Sequence, residues 1–199
     1  RLAGHYNASN MLAVIATALE LGEDLLPVLQ AASTLQPPPG RLQTLELSPE
    51  ISGVVDYAHS PDALQNLLAT LREMREQDGR LLLVIGCGGN RDKDKRPEMA
   101  RIAAEGAHQV FLTSDNPRDE DPEAILDEME AGLTAQLARR VLRITDRKAA
   151  IQAAVQFAQP GDAIVVAGKG HETYQEIRGT RHPFDDAQVL TQAFSQRAH

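Results

Sequence analysis

Cysteine is nearly absent from this sequence. Cys87 is the only one in 199 residues, which excludes an internal disulfide framework and fits a reducing compartment, the cytoplasm. No apolar run approaches the ~20 residues of a membrane-spanning helix, and no basic-then-apolar leader is present. Positive charge is in deficit. The formal net charge of −8 argues against general binding to nucleic acid or an anionic membrane, while leaving room for a local basic site. The six histidines show no HxH or HExxH spacing, so no metal site is expected among them. Neither GxGxxG nor GxxxxGK[ST] occurs, which removes the dinucleotide fingerprint and the Walker A loop. An initiator methionine is also lacking, and Arg1 to Asn10 reads like the middle of something longer. A fragment or processed piece is expected.

What remains is an ordinary soluble composition, 42% hydrophobic and 24% charged, in a chain long enough to bury a real core. Apolar residues at helical spacing predict helices over Asn10–Leu21 and Leu25–Leu35. The breaker Gln36-Pro37-Pro38-Pro39-Gly40 follows, and a domain boundary is placed there, giving segments 1–35 and 36–199. Beyond it, strands predicted at 42–47, 53–57, 81–85, 110–113, 141–144 and 163–167 alternate with helices at 61–76, 97–106, 122–137, 147–158 and 185–197. That alternation predicts an α/β fold with a Rossmann-like, mainly parallel sheet covered on both faces. Gln175 to Arg178 is read as an antiparallel edge strand.

The polar chemistry collects in loops that follow apolar strands, where open α/β sheets place their ligands. Asp115-Asn116-Pro117-Arg118 follows Val110–Ser114. Asp115 offers a carboxylate, Asn116 a donor and an acceptor, and Arg118 a planar fork suited to a carboxylate. Pro117 pre-shapes the loop. The set suits a ligand bearing both an ammonium and a carboxylate, an amino acid; an Asx-capped turn is the plainer reading. Asp56-Tyr57-Ala58-His59 offers a carboxylate suited to ribose hydroxyls and an imidazole, or merely a helix cap. Gly86-Cys87-Gly88-Gly89-Asn90-Arg91-Asp92 permits close backbone approach and supplies Arg91, or is a permissive turn. In Gly168-Lys169-Gly170-His171-Glu172, Glu172 suits an ammonium. Cys87 is read as a packing residue.

These motifs, with Gly4-His5-Tyr6-Asn7-Ala8-Ser9-Asn10 and Pro39-Gly40-Arg41, occur in an order and spacing that resembles the C-terminal part of the Mur ligase family, in particular its diaminopimelate-adding members. The resemblance covers essentially the whole chain. It implies that residues 1–35 are the helical tail of a central ATP-binding domain and 36–199 a C-terminal domain that binds the incoming amino acid. It further implies ATP contacts at Asn7, Asn10, Arg41, Asp56, Tyr57 and His59. Contacts to meso-diaminopimelate are implied at Arg91, Asp115, Asn116, Pro117, Arg118, Gly168 and Glu172. The activity implied is ATP-dependent amide formation on UDP-MurNAc-L-Ala-D-Glu through an acyl phosphate, with Mg²⁺. The family's phosphate-binding loop, Mg²⁺ carboxylates and modified lysine have no match here, so the chain alone is expected to be inactive. A lysine-adding Mur ligase, a folylpolyglutamate synthetase and a non-catalytic amino-acid-binding module are the rival readings.

Overall fold

The computed structural model describes residues 5–35, 37–74 and 79–197. The chain divides into two compact units, Arg1–Pro38 and Pro39–His199. The first is a helical pair, α1 (His5–Glu20) and α2 (Leu25–Thr34), turned at Gly22 with φ 91°. α1 begins before the predicted Asn10. Leu12, Val14, Leu21 and Leu26 stay exposed on this pair, and α2 has no buried residue.

The second unit is built on β1 (Gln43–Glu46), β2 (Ser52–Asp56), β3 (Leu81–Ile85), β4 (Gln109–Leu112), β5 (Val141–Arg143) and β6 (Ala163–Ala167). They form one sheet in the order β1-β2-β6-β3-β4-β5, in which β1 is antiparallel and the others are parallel. β3 is buried at every position, as a central strand covered on both faces must be. On one face Leu82, Val84, Phe111, Ile164 and Val166 pack with Ile151, Val155 and Leu190 of α7 (Arg147–Phe157) and α8 (Asp186–Ser195). Strand alternation sends Leu81, Leu83 and Ile85 to the opposite face. α3 (Pro61–Met74) and α4 (Lys95–Gly106) pack against each other so tightly that a Cβ on Gly106 would meet Leu68 at 2.4 Å.

Two expectations need correcting. The predicted helix 122–137 is split into α5 (Pro122–Glu130) and α6 (Ala135–Ala138). Gly132 and Leu133 close the first helix on Met129 and Glu130, and the Thr134 hydroxyl caps the second through Leu137 N–H. The segment at 175–178 is not an edge of the main sheet. As β7 (Tyr174–Ile177) it pairs with β8 (Thr180–Pro183) in a separate antiparallel hairpin, turned at Gly179 with φ 74°. The antiparallel edge strand is β1 instead.

The parallel strands all point their carboxyl ends at one rim. Because β6 lies between β2 and β3, and β4 lies beyond β3, the loops after β2, β6, β3 and β4 stand side by side there. Residues far apart in sequence thus become neighbours.

Candidate functional site

The loop after β3 lies flat on the loop after β4. Gly89 N–H donates to Asn116 O at 2.9 Å, and a Cβ at Gly89 would come within 1.9 Å of Pro117 O, so no other residue fits without moving backbone. Arg118 crosses the other way and donates Nη1–H to Gly89 O at 2.8 Å. A Cβ at Gly88 would meet Arg118 Nη1 at 3.0 Å and Arg91 Cγ at 3.8 Å. The two arginines therefore flank one glycine, with Arg91 exposed and, among the described residues, bonded only to the carbonyl of Asn90.

Beneath them is a buried polar cluster. Asn116 Nδ2 donates to Glu172 Oε2 at 2.7 Å, while Asn116 Oδ1 accepts from Lys169 Nζ at 3.1 Å and from Glu176 N at 2.9 Å. Lys169 Nζ also pairs with Glu172 Oε2 at 3.3 Å, and its side chain is fully buried. Asp115 lies alongside, with its Oδ2 2.9 Å from the Cβ position that Gly168 leaves empty. Burial pushes the Asp115 carboxyl above the usual carboxylate range, and the nearby charges of Arg147 and Lys169 oppose that rise. Arg147 is itself fully buried. It forms a two-point ion pair with Asp186 (2.8 Å on each side) and donates to Ala167 O, leaving its Nη1 without a bond among the described residues. Among the described residues, the carboxyls of Asp115, Glu172 and Asp186 lie with two cations, Lys169 and Arg147, a set that suits a substrate ammonium.

A second clamp fixes the same two loops from outside. Arg96, fully buried, donates to both oxygens of Glu120, to Glu128 at 2.6 Å and to Gly88 O. Glu120 also accepts from Asn90 N and pairs with Lys93. The Arg96 hydrogen bond holds the Glu120 carboxyl down at about 2.

The rim beside β2 is built differently. Asp56 receives Ala58 N–H on Oδ1 (2.8 Å) and Leu42 N–H on Oδ2 (2.7 Å), so it braces the start of β1 while each oxygen keeps a lone pair. Burial raises its carboxyl, against those two donors and Arg41. Arg41 lies 4.8 Å over the Tyr57 ring, and His59 and His171 lean on the same ring at tilted angles, with centroids at 4.6 and 5.2 Å. This aromatic, cationic and mostly exposed surface is suited to a nucleotide base and phosphates. Asn7 and Asn10 lie one turn apart on α1, in the other unit. Cys87 is 3% exposed and burial pushes its thiol up to about 12, which leaves it unfit as a nucleophile.

The profile described as "Mur ligase, glutamate ligase domain" matches residues 40–170. The chain belongs to this Mur ligase family. Among its relatives, the UDP-N-acetylmuramoyl-L-alanyl-D-glutamate–2,6-diaminopimelate ligase of Cytophaga hutchinsonii is 51% identical over 96% of this chain and 39% of its own length. The enzyme of the same name from Chlorobaculum tepidum is 50% identical over 98% and 38%. A solved structure of a 2,6-diaminopimelate ligase superposes with TM-score 0.77 at 44% identity, over 100% of this chain and 40% of that one. The UDP-N-acetylmuramate–alanine ligase of Thermotoga maritima shares the fold, with TM-score 0.66 at 22% identity over 98% of this chain and 38% of that one. The chain spans about two fifths of the length of these relatives.

Within this Mur ligase domain, Arg91, Asp115, Asn116, Pro117, Arg118, Gly168 and Glu172 gather at one end of the rim. Arg41, Asp56, Tyr57 and His59 gather at the other. Sequence reasoning missed the residues that organise them. Lys169 and His171 sit inside a quoted motif yet were given no task. Arg96 falls between the Gly86–Asp92 loop and the helix expected from 97 and carries no expectation, and Arg147 enters only as a helix start. A basic residue at the first turn of a helix, where the dipole disfavours it, was the available signal for Arg96 and Arg147.

Proposed function

We propose that this chain is the amino-acid-selecting part of an ATP-dependent ligase that adds meso-diaminopimelate to UDP-MurNAc-L-Ala-D-Glu. Phosphoryl transfer from ATP converts the D-glutamyl carboxylate to an acyl phosphate, which the amino acid's amine attacks; the tetrahedral adduct then expels phosphate. The observation that carries the reading is Arg118, whose fork is aimed by Gly89 O beside the ammonium-seeking cluster of Asp115, Asn116 and Glu172. Diaminopimelate differs from lysine by one far carboxylate, and a bidentate arginine recognises that group. With lysine bound, the guanidinium has no such partner, and the site discriminates.

ATP fits the β2 end. Arg41 faces the phosphates, Asp56 offers its remaining lone pairs to ribose hydroxyls, and Tyr57 with His59 flanks the base. The family resemblance assigns Asn7 and Asn10 to ATP as well; they lie on α1 of the helical unit, which we read as the tail of the central ATP-binding domain. Mg²⁺, when bound, would neutralise phosphate charge in such chemistry, and the family resemblance puts its carboxylates upstream; among the described residues no group of three His, Cys, Asp or Glu could hold a metal ion. We place the protein in the cytoplasm; among the described residues no helix is long and apolar enough to cross a membrane.

The reading is tested by assaying the full-length ligase with ATP, UDP-MurNAc-L-Ala-D-Glu and either amino acid. Diaminopimelate is the preferred substrate, and the 199-residue chain alone forms no product. Preference for lysine, or ligation by the chain alone, would refute it.

A further inference from the structure

Arg118 is not left bare. Its Nε lies 3.6 Å from Glu176 Oε2, and both side chains are partly shielded, 19% and 24% exposed. At 3.6 Å this is an ion pair without a hydrogen bond, so the carboxylate is close but not seated. The backbone around it is fixed. Arg118 N donates to Glu176 O at 2.9 Å, Arg178 N donates to Arg118 O at 2.7 Å, and Glu176 N reaches Asn116 Oδ1 at 2.9 Å. The hairpin is therefore sewn to the loop, while the Glu176 carboxylate makes no hydrogen bond among the described residues. Nη1 is committed to Gly89 O, and Nη2 meets no acceptor among the described residues. The fork's open Nε–Nη2 edge is the edge Glu176 overlooks.

We propose that Glu176 is a specificity-setting, positioning residue: its carboxylate stands in at Arg118 for the carboxylate of the incoming amino acid. Binding there becomes an exchange of one anion for another. The inference rests on the proposed diaminopimelate site. A partly exposed pair this loose contributes little to stability, but its charge lies where an incoming carboxylate must go. The effect is to temper affinity for every anion at the fork, including inorganic phosphate, the product of the proposed reaction. A second negative charge beside the guanidinium keeps phosphate from lodging there between turnovers.

Glu176→Gln in the full-length ligase tests this, since it keeps size and polarity and removes only the charge. The KM for meso-diaminopimelate falls about fivefold, the KM for ATP is unchanged, and kcat/KM for lysine is unchanged. Inorganic phosphate inhibits the variant more strongly, in competition with diaminopimelate. Glu176→Ala moves the diaminopimelate KM the same way. A residue that merely props the hairpin gives lower thermal stability and a raised or unmoved KM, and either KM result overturns the inference. So does an equal gain for lysine, which lacks the far carboxylate that would sit at the fork. A wild-type ligase that does not use diaminopimelate overturns the proposed function itself, before any substitution at Glu176 is read.

Discussion

Around β4 the polar side chains are mostly buried and bonded to one another, whereas around β2, apart from the buried Asp56, they are exposed and gathered about one aromatic ring. Asn116, Lys169, Arg96 and Arg147 are all buried, and each makes at least two bonds to neighbouring loops or helices. Arg41, His59 and His171 are exposed and meet mainly through the Tyr57 ring. On the proposed function, the difference separates two tasks. Choosing between amino acids that differ by one carboxylate needs donors fixed in advance, because discrimination comes from groups that cannot relax around the wrong ligand. Holding a nucleotide at an open surface needs only a platform that closes when another domain arrives.

The contrast can be broken by substitution. The largest effect is expected at Arg96→Met, which leaves Glu120 and Glu128 without their buried counter-ion and lowers unfolding free energy by about 3 kcal/mol, read by denaturant titration of the chain. Arg118→Ala is next: the diaminopimelate KM of the full-length ligase rises ~100-fold, while the ATP KM holds. Near-normal kinetics would contradict the site. Gly89→Ala forces a Cβ onto Pro117 O, at a cost of about 1–3 kcal/mol, seen as a lower Tm together with a higher diaminopimelate KM. Glu120→Gln sharpens the comparison through pH. The Glu120 carboxyl sits at about 2 against an ordinary 4.5, so its ionised form stabilises the fold above pH ~4.5, and that gain is lost as pH falls through about 2. The stability gap between wild type and variant therefore closes as a titration proceeds from pH 5 to pH 2; a gap that widens on acidification contradicts the clamp. The smallest change is at His171→Ala on the β2 side, within about 0.5 kcal/mol in stability, with a higher KM for ATP. An equally large loss of stability there would erase the distinction between the two ends.

Much of this was legible in the sequence because the strands are short, continuous apolar runs ending in polar loops. That pattern located β3, β4 and β6 and the polar loops that the fold brings together at one rim. The fold class and the family reading hold as well. Less legible were features decided by contacts distant in sequence. Gln175–Arg178 has the alternation of a strand, but nothing in it tells whether it joins the main sheet or pairs with β8. The break at Gly132 and Thr134 interrupts an otherwise continuous helical pattern, and the capping hydroxyl that causes it resembles any surface threonine. Lys169, Arg96 and Arg147 read as ordinary surface charge until the carboxylates 3, 24 and 39 residues away are seen beside them.

The Arg147–Asp186 pair bears on the order of assembly. Its guanidinium reaches from the start of α7 to the end of β6 and the first turn of α8. While the chain is being synthesised, β3, β4 and their loops emerge well before α8. Until Asp186 arrives, Arg147 is a cation without its partner beneath Asp115, and the strand end it supports is not anchored. On the proposed function, the amino-acid end of the rim is thus completed only once α8 has followed all six strands of the sheet, so a ribosome-bound chain lacking α8 has its sheet but not yet its preference.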